Sequence, residues 1–327
     1  MIQNMENDLT FYIDNNNFND ELKYIFYYCD KNDIPVIIKN ISQNNLLSIL
    51  NTERLKNMTI EINDEFYTIY DNSIKEELIN LYKSNFDDSP DYINYFFDDF
   101  SINNVYYMRK DRKIVSAFYL QYKTLFLKKE IKIPYIVAAS TNYKYRKKGL
   151  FKAIFKRYLY ESNNPFCLLS SDIFSFYEKL GFNTIIYNKM FDMEMIDANI
   201  NDIKEIYNKN IGEIYLKKDF KKLDNIIKID NLKLSKSKDG LGYTISSNGI
   251  DEYFHPEYYN KEKGIPYIMG RVVNAKEFLK LCPIKANIID PICPKNNIDC
   301  YYDESIDVSE LILKLFDKKN SLILDRY

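Results

Sequence analysis

The spacing of apolar positions changes period sharply between residues 136 and 159. Ile136-Val137-Ala138-Ala139 is a short apolar run suited to a buried strand. The stretch from Ser140 to Gly149 is polar, and Lys144, Arg146, Lys147 and Lys148 crowd into it with no acid among them. Beyond Gly149 the apolar residues fall at helical spacing, with Leu150, Ile154 and Tyr158 on one row and Phe151, Phe155 and Leu159 on the next. The pattern predicts a strand, a basic loop and the first turn of a helix. Unpaired N–H groups and the positive end of the helix dipole point out of such a turn, which suits a phosphate or pyrophosphate. The same charge run also fits a solvated face. Neither Gly-x-x-x-x-Gly-Lys-Ser/Thr nor Gly-x-Gly-x-x-Gly occurs.

Elsewhere the pattern predicts helices at Asn19–Lys31 and Ser42–Leu50, the latter with Ser42 as N-cap, on either side of a Pro35–Ile38 strand. Residues 63–195 read as one α/β unit. Its expected elements are strand Phe66–Ile69, helices Ser73–Tyr82 and Asp91–Phe100, strands Asn103–Met108, Lys113–Gln121, Thr124–Leu127 and Ile131–Ala139, helix 148–161, strand Phe166–Ser170, helix Phe174–Leu180 and strand Asn183–Asp192. A helical region, Asn201–Ile229, precedes strand-like pieces at Leu232–Lys236 and Gly242–Ser246, with a turn at Gly240-Leu241-Gly242. The final segment opens on Pro266-Tyr267-Ile268-Met269-Gly270-Arg271-Val272-Val273-Asn274. It continues through Ile289-Asp290-Pro291 to Asn296-Asn297, then helix Ser309–Phe316 and an apolar tail ending at Tyr327.

Composition narrows the function classes. The chain has 327 residues, room for two or three domains with real cores. A net charge of −2 argues against wholesale nucleic-acid binding. The polar, acidic start is unlike a signal peptide, and no apolar run approaches the roughly 20 residues of a spanning helix. These features lead us to expect a soluble cytoplasmic protein with no membrane partner. Five cysteines without a Cys-x-x-Cys pair, and a single histidine, are unsuited to a metal site and fit free thiols. His255, beside Pro256, reads as a loop residue.

Arg146-x-x-Gly149-x-Phe151, behind a strand and opening a helix, resembles the acetyl-CoA loop of GNAT N-acetyltransferases, although Phe151 replaces the usual small residue. Phe176-Tyr177-Glu178-Lys179-Leu180-Gly181-Phe182 resembles that family's second signature, a short helix carrying a tyrosine and ending at Gly-Phe. The segments around Arg271-Val272-Val273-Asn274 and Asp290–Asn297 narrow the resemblance to the enhanced intracellular survival (Eis) type. The resemblance implies an α/β (α+β) GNAT fold with a mixed, mostly antiparallel sheet, a short middle region and a small α+β C-terminal domain. The implied divisions are a segment of unknown role (1–62), the acetyltransferase domain (63–195), a degenerate GNAT-like middle (196–264) and a sterol-carrier-like C-terminal domain (265–327). The middle and C-terminal regions are shorter than usual for this type, and residues 1–62 have no place in its scheme.

The resemblance also implies a site. Backbone at Ala139, Ser140 and Thr141 would pair with the pantetheine arm of acetyl-CoA. Arg146 belongs to the loop motif, and N–H groups of Lys147, Lys148, Gly149, Leu150, Phe151 and Lys152 would cradle the pyrophosphate, with glycine at 149 so that no side chain crowds the phosphates. Ser171 and Asp172 would contact the cofactor after the next strand. Tyr177 would protonate the leaving thiolate as general acid. The base would be the α-carboxylate of Tyr327. A primary amine, as in an aminoglycoside, a polyamine or a lysine, would be the acceptor, in a homo-oligomer and with no metal. Two other readings stand beside this one: a non-catalytic acyl-CoA-binding or interaction module on the same fold, and a nucleic-acid surface built on the basic run Lys144–Arg157.

Overall fold

A computed structural model describes residues 2–5, 8–11, 36–38, 58–62, 65–68, 72–99, 104–110, 113–189, 192–247, 250–259, 264–299, 302, 304–316 and 321–322. The chain divides into two compact units, one of Met1–Asn80 with Tyr107–Val115, the other of Leu81–Tyr106 with Ser116–Tyr327.

In the first unit, strands β1 (Ile2–Met5) and β2 (Asp8–Phe11) form an antiparallel pair. Strand β3 (Val36–Ile38) runs parallel to β4 (Met58–Ile62), which pairs antiparallel with β5 (Glu65–Thr68). The strands expected at 35–38 and 66–69 are therefore present. The helices expected at 19–31 and 42–50 lie outside the described residues.

Helices α1 (Asn72–Lys83) and α2 (Pro90–Asp99) follow. Ser89 starts α2 as its N-cap, its Oγ accepting from Tyr92 N at 3.0 Å with Pro90 at the first helical position, where a missing N–H costs nothing. Next come β6 (Val105–Lys110), β7 (Lys113–Leu127), β8 (Lys129–Thr141), α3 (Leu150–Glu161), β9 (Phe166–Leu169), α4 (Phe174–Glu178) and β10 (Asn183–Asn188). The middle region holds β11 (Met195–Asp197), α5 (Ile200–Lys209), β12 (Ile214–Leu216), α6 (Phe220–Asp230), β13 (Lys233–Ser237), β14 (Tyr243–Ser246) and β15 (Ile250–Phe254). The chain continues with β16 (Ile265–Val272), α7 (Ala275–Leu281), β17 (Asn287–Ile289), β18 (Ser305–Asp307), α8 (Val308–Leu311), α9 (Leu313–Phe316) and β19 (Ser321–Leu322).

The main sheet has eight strands in the order β10-β16-β9-β8-β7-β12-β19, with β6 also on β7. On this path only β8–β9 and β12–β19 are parallel. This is the mixed, mostly antiparallel sheet expected. Three details differ from the sequence reading. Lys113–Leu127 is one long strand rather than two, because Tyr122 and Lys123 stay paired with β8, and its last three residues, Leu125–Leu127, also pair with β12. The region 201–229 is two helices separated by that same β12. Residues 265–272, which open the expected C-terminal domain, form β16 inside the main sheet, antiparallel to both β9 and β10.

Strand β9 is buried at every position, which is why Phe166-Cys167-Leu168-Leu169 shows no alternation. Helix α3 covers one face, with Phe151 and Phe155 at 5.5 and 6.2 Å from Phe118 of β7. On the opposite face Phe278 of α7 and Phe316 of α9 meet Phe166 edge-on at 6.2 and 6.1 Å. A second sheet, β11-β13-β14-β15, holds a buried ion pair, Lys218 Nζ to Glu252 Oε2 at 2.7 Å, with the Tyr243 hydroxyl donating to Glu252 Oε1 at 2.7 Å.

Candidate active site

Strands β8 and β9 pair at Tyr135–Leu168 and Ile136–Leu169, then part. Strand β8 runs on through Val137 to Thr141, while the chain after β9 turns away toward α4. Where parallel strands separate, N–H and C=O groups lose their ladder partners and can bind an extended ligand instead. A bulge sits at this parting. Ala117 faces Ser140 and Tyr119 faces Val137, so β8 carries one residue more than β7 across the step, and Ala138 takes φ +50°. On the other edge the strand end is fastened by Ser116 Oγ, 2.8 Å from Thr141 Oγ1. The bulge was missed in the sequence; the adjacent small residues Ala138 and Ala139 are its only signal there.

The basic loop begins with a tight turn over Tyr143–Tyr145, capped by Asn142, whose Oδ1 accepts from Lys144 N at 3.1 Å. Arg146 binds the loop to its surroundings, donating from Nε to Thr141 O at 3.1 Å and from Nη2 to Asn85 Oδ1 at 2.8 Å. Lys147 takes φ +62° and Gly149 φ +75°, and Gly149 is the N-cap of α3 with no side chain to cap it. The first helical bond runs from Ala153 N to Gly149 O, so the N–H groups of Leu150, Phe151 and Lys152 point out of the helix start. A Cβ at Gly149 would meet nothing within 4 Å. The left-handed backbone favours glycine there, and the space beside it is open. Lys147, Lys148 and Lys152 are exposed, with Lys148 Nζ 5.1 Å from the Tyr145 ring centroid. Phe151 turns its ring inward, where it fills the aromatic layer between Phe118 and α4.

Tyr177 lies on α4, nearly buried, with Phe151, Phe176 and Phe182 all edge-on to its ring at 6.0, 5.1 and 5.7 Å. The loop helix and the tyrosine helix therefore share a wall. Burial pushes the Tyr177 phenol up to about 12, partly offset by a hydrogen bond with the Ser171 side chain. The phenol thus stays protonated through neutral pH. Ser171 Oγ also accepts from Ile173 N at 3.0 Å, and Asp172 is exposed. Helix α4 ends in a Schellman turn, with Gly181 N donating to Glu178 O at 2.9 Å and Phe182 N to Tyr177 O at 3.1 Å, and Gly181 at φ +79°.

The two C-terminal segments singled out in the sequence meet in the interior. Arg271 Nη2 donates to both carboxylate oxygens of Asp290, at 3.0 and 2.8 Å, and both side chains are fully buried. Asp290 Oδ1 also accepts from Ile292 N and Cys293 N, and Oδ2 from Asn296 Nδ2. Asn297 Oδ1 accepts from Asp290 N at 2.7 Å. Tyr327 lies outside the described residues; the last described strand, β19, runs parallel to β12.

His255 follows β15 in a loop but is only 2 % exposed, its Nε2 3.2 Å from Asp239 Oδ2. Cys167, Cys282 and Cys293 are free thiols. Among the described residues no group of three or more His, Cys, Asp or Glu could hold a metal, and no helix is long and apolar enough to cross a membrane.

Residues 69–185 match the family model described as an acetyltransferase (GNAT) domain. Among solved structures, the chain is similar to a GCN5-related N-acetyltransferase from Kribbella flavida, at 12% identity and TM-score 0.50 over 79% of this chain and 98% of that one. It is likewise similar to a probable N-acyltransferase of unknown function from Enterococcus faecalis V583, at 14% identity and TM-score 0.53 over 79% and 98%. A third is Eis1 from Mycobacterium abscessus, at 10% identity and TM-score 0.52 over 74% and 86%. At these identities the likeness is one of fold. A search of the curated proteins finds no match. The chain therefore carries a GNAT acetyltransferase domain, matched over residues 69–185 and built on the GNAT fold.

Proposed function

We propose that the chain is an acetyl-CoA-dependent N-acetyltransferase acting on a primary amine. The observation that carries this reading is the parting of β8 from β9 at a bulge, directly before a helix start with open space beside Gly149. In this reading the pantetheine arm pairs with Ala139, Ser140 and Thr141. The pyrophosphate rests on the N–H groups from Lys147 to Lys152, and Arg146 sets the loop that presents them. Tyr177, a neutral phenol in an apolar cage, protonates the departing thiolate. Ser171 orients that phenol, and Asp172 faces the cofactor from the rim. The base that deprotonates the ammonium is the α-carboxylate of Tyr327, carried over from the Eis resemblance. Extending the chain beyond Tyr327 tests it, and full activity of the extended protein would place the base elsewhere. The acceptor is a small cationic amine or a protein lysine, and the protein is cytoplasmic and self-associating.

A non-catalytic acyl-CoA-binding module would bind acetyl-CoA without turnover. Calorimetry with CoA on wild type and Gly149→Glu tests the site common to both readings. The substituted carboxylate should abolish binding by repelling the pyrophosphate, and equal affinity for the two proteins would remove the site from this loop.

A further inference from the structure

We infer that Arg271, clamped by Asp290, is a positioning residue for Tyr177, so that the C-terminal segment takes part in setting the active-site geometry. The inference rests on the reading of Tyr177 as the general acid.

Arg271 is fully buried, yet its Nε and Nη1 have no hydrogen-bond partner among the described residues. A guanidinium left part-satisfied in an apolar interior is costly, and stability alone does not account for it. Its location does. Nη1 lies directly under Gly181, where a Cβ would stand 2.0 Å from it. Gly181 is the left-handed residue of the turn that ends α4, and the next N–H, that of Phe182, bonds the carbonyl of Tyr177 itself. The guanidinium is thus the floor on which the tyrosine's turn rests.

A second route leads to the same side chain. The guanidinium carbon of Arg271 sits 5.9 Å from the centroid of Phe155. Phe155 stacks on Phe151 at 6.2 Å with planes 13° apart, and packs against Phe182 at 5.4 Å. Phe151 and Phe182 are two of the rings set edge-on around Tyr177. Backbone and aromatic routes therefore both run from Arg271 to Tyr177. In a close-packed interior, a shift of the guanidinium moves both. Asp290 fixes the guanidinium from the far side, itself held by Ile292 N, Cys293 N and Asn296.

The test is kcat, KM for acetyl-CoA and the pH profile of kcat in wild type, Arg271→Lys, Tyr177→Phe and the double variant. Lysine keeps the charge but cannot reproduce the planar fork. We expect Arg271→Lys to lower kcat about tenfold or more, as a small misplacement of a catalytic group does, with KM for acetyl-CoA unchanged. A phenol released from its cage would also titrate nearer its ordinary value of about 10, so an alkaline limb should enter the accessible range. In the Tyr177→Phe background, Arg271→Lys should change kcat less than about twofold, because the group it positions is gone. Equal losses in both backgrounds, or a wild-type pH profile in Arg271→Lys, would overturn the inference while leaving Tyr177 as the acid. An unchanged kcat in Tyr177→Phe alone would instead remove the acid reading and this inference with it. Should Arg271→Lys not fold, Asp290→Asn, which keeps the side chain's size while weakening the clamp, carries the same expectations.

Discussion

A Cβ placed on Gly181 would lie 2.0 Å from Nη1 of Arg271, whereas one placed on Gly149 would touch nothing within 4 Å. The two glycines have nearly the same backbone, φ +79° and φ +75°. Alanine at either position carries the left-handed penalty of about 1–2 kcal/mol. Only at 181 must a fully buried guanidinium also move. Gly181→Ala should therefore lower stability clearly more than Gly149→Ala in urea unfolding. Equal losses would mean that Arg271 yields freely and does not brace this turn.

Arg146 gives a sharper view of the basic loop. Its guanidinium is engaged by Thr141 O and Asn85 Oδ1, and Asn85 is held in turn by its Nδ2 donating to Leu81 O at 2.8 Å. If Arg146 acts by ordering the loop, Asn85→Ala should weaken CoA binding although Asn85 belongs to a different turn. Loss of one such bond, about 0.5–1.5 kcal/mol, corresponds to a few-fold rise in the CoA dissociation constant by calorimetry. An unchanged affinity in Asn85→Ala, with a large loss in Arg146→Ala, would show that Arg146 contacts the cofactor directly.

The sequence revealed the parts of this site that are local. Strand, loop and helix at 136–159 are legible because the period of apolar residues switches there, and α4 because Phe176–Phe182 resembles the family's short tyrosine helix ending at Gly-Phe. What escaped was non-local. Nothing in the spacing of Ile265–Val272 tells that it enters the sheet between β9 and β10, since strand order depends on partners far along the chain. The gap expected at Tyr122-Lys123 is absent: β7 runs through it, with Gln121 and Lys123 half-buried and Tyr122 exposed, so neither face shows the alternation that marks a strand. Strand β12, three residues inside an apparently helical stretch, is too short to show a period. The link from Arg271 to Asp290 and Gly181 joins segments that no local pattern connects.

Asp239 provides an acid-range test of the β13–β14 turn. Its Oδ1 accepts from Ser237 Oγ at 2.5 Å and Leu241 N at 2.9 Å, and Oδ2 faces His255. These bonds, that to Ser237 first, draw its carboxyl from 3.8 down to about 2. A folded-state value below the unfolded one stabilises the fold when the group is ionised, so the contribution is full above about pH 4 and is lost as pH falls toward 2. The stability gap between wild type and Asp239→Asn should be wider at about pH 5 than at about pH 2. A gap that does not change with pH would mean that the ionised carboxylate contributes nothing to the turn.

The most direct test of the account is thiol release from acetyl-CoA against a panel of primary amines, in wild type and Tyr177→Phe. The account predicts amine-dependent release by the wild type. It predicts a kcat lower by about 10²–10⁴ in Tyr177→Phe, the usual loss for a positioned acid, with acetyl-CoA binding by calorimetry retained. Acetyl-CoA binding by both proteins, without amine-dependent thiol release from either, would contradict it and leave the chain as a binding module on this fold.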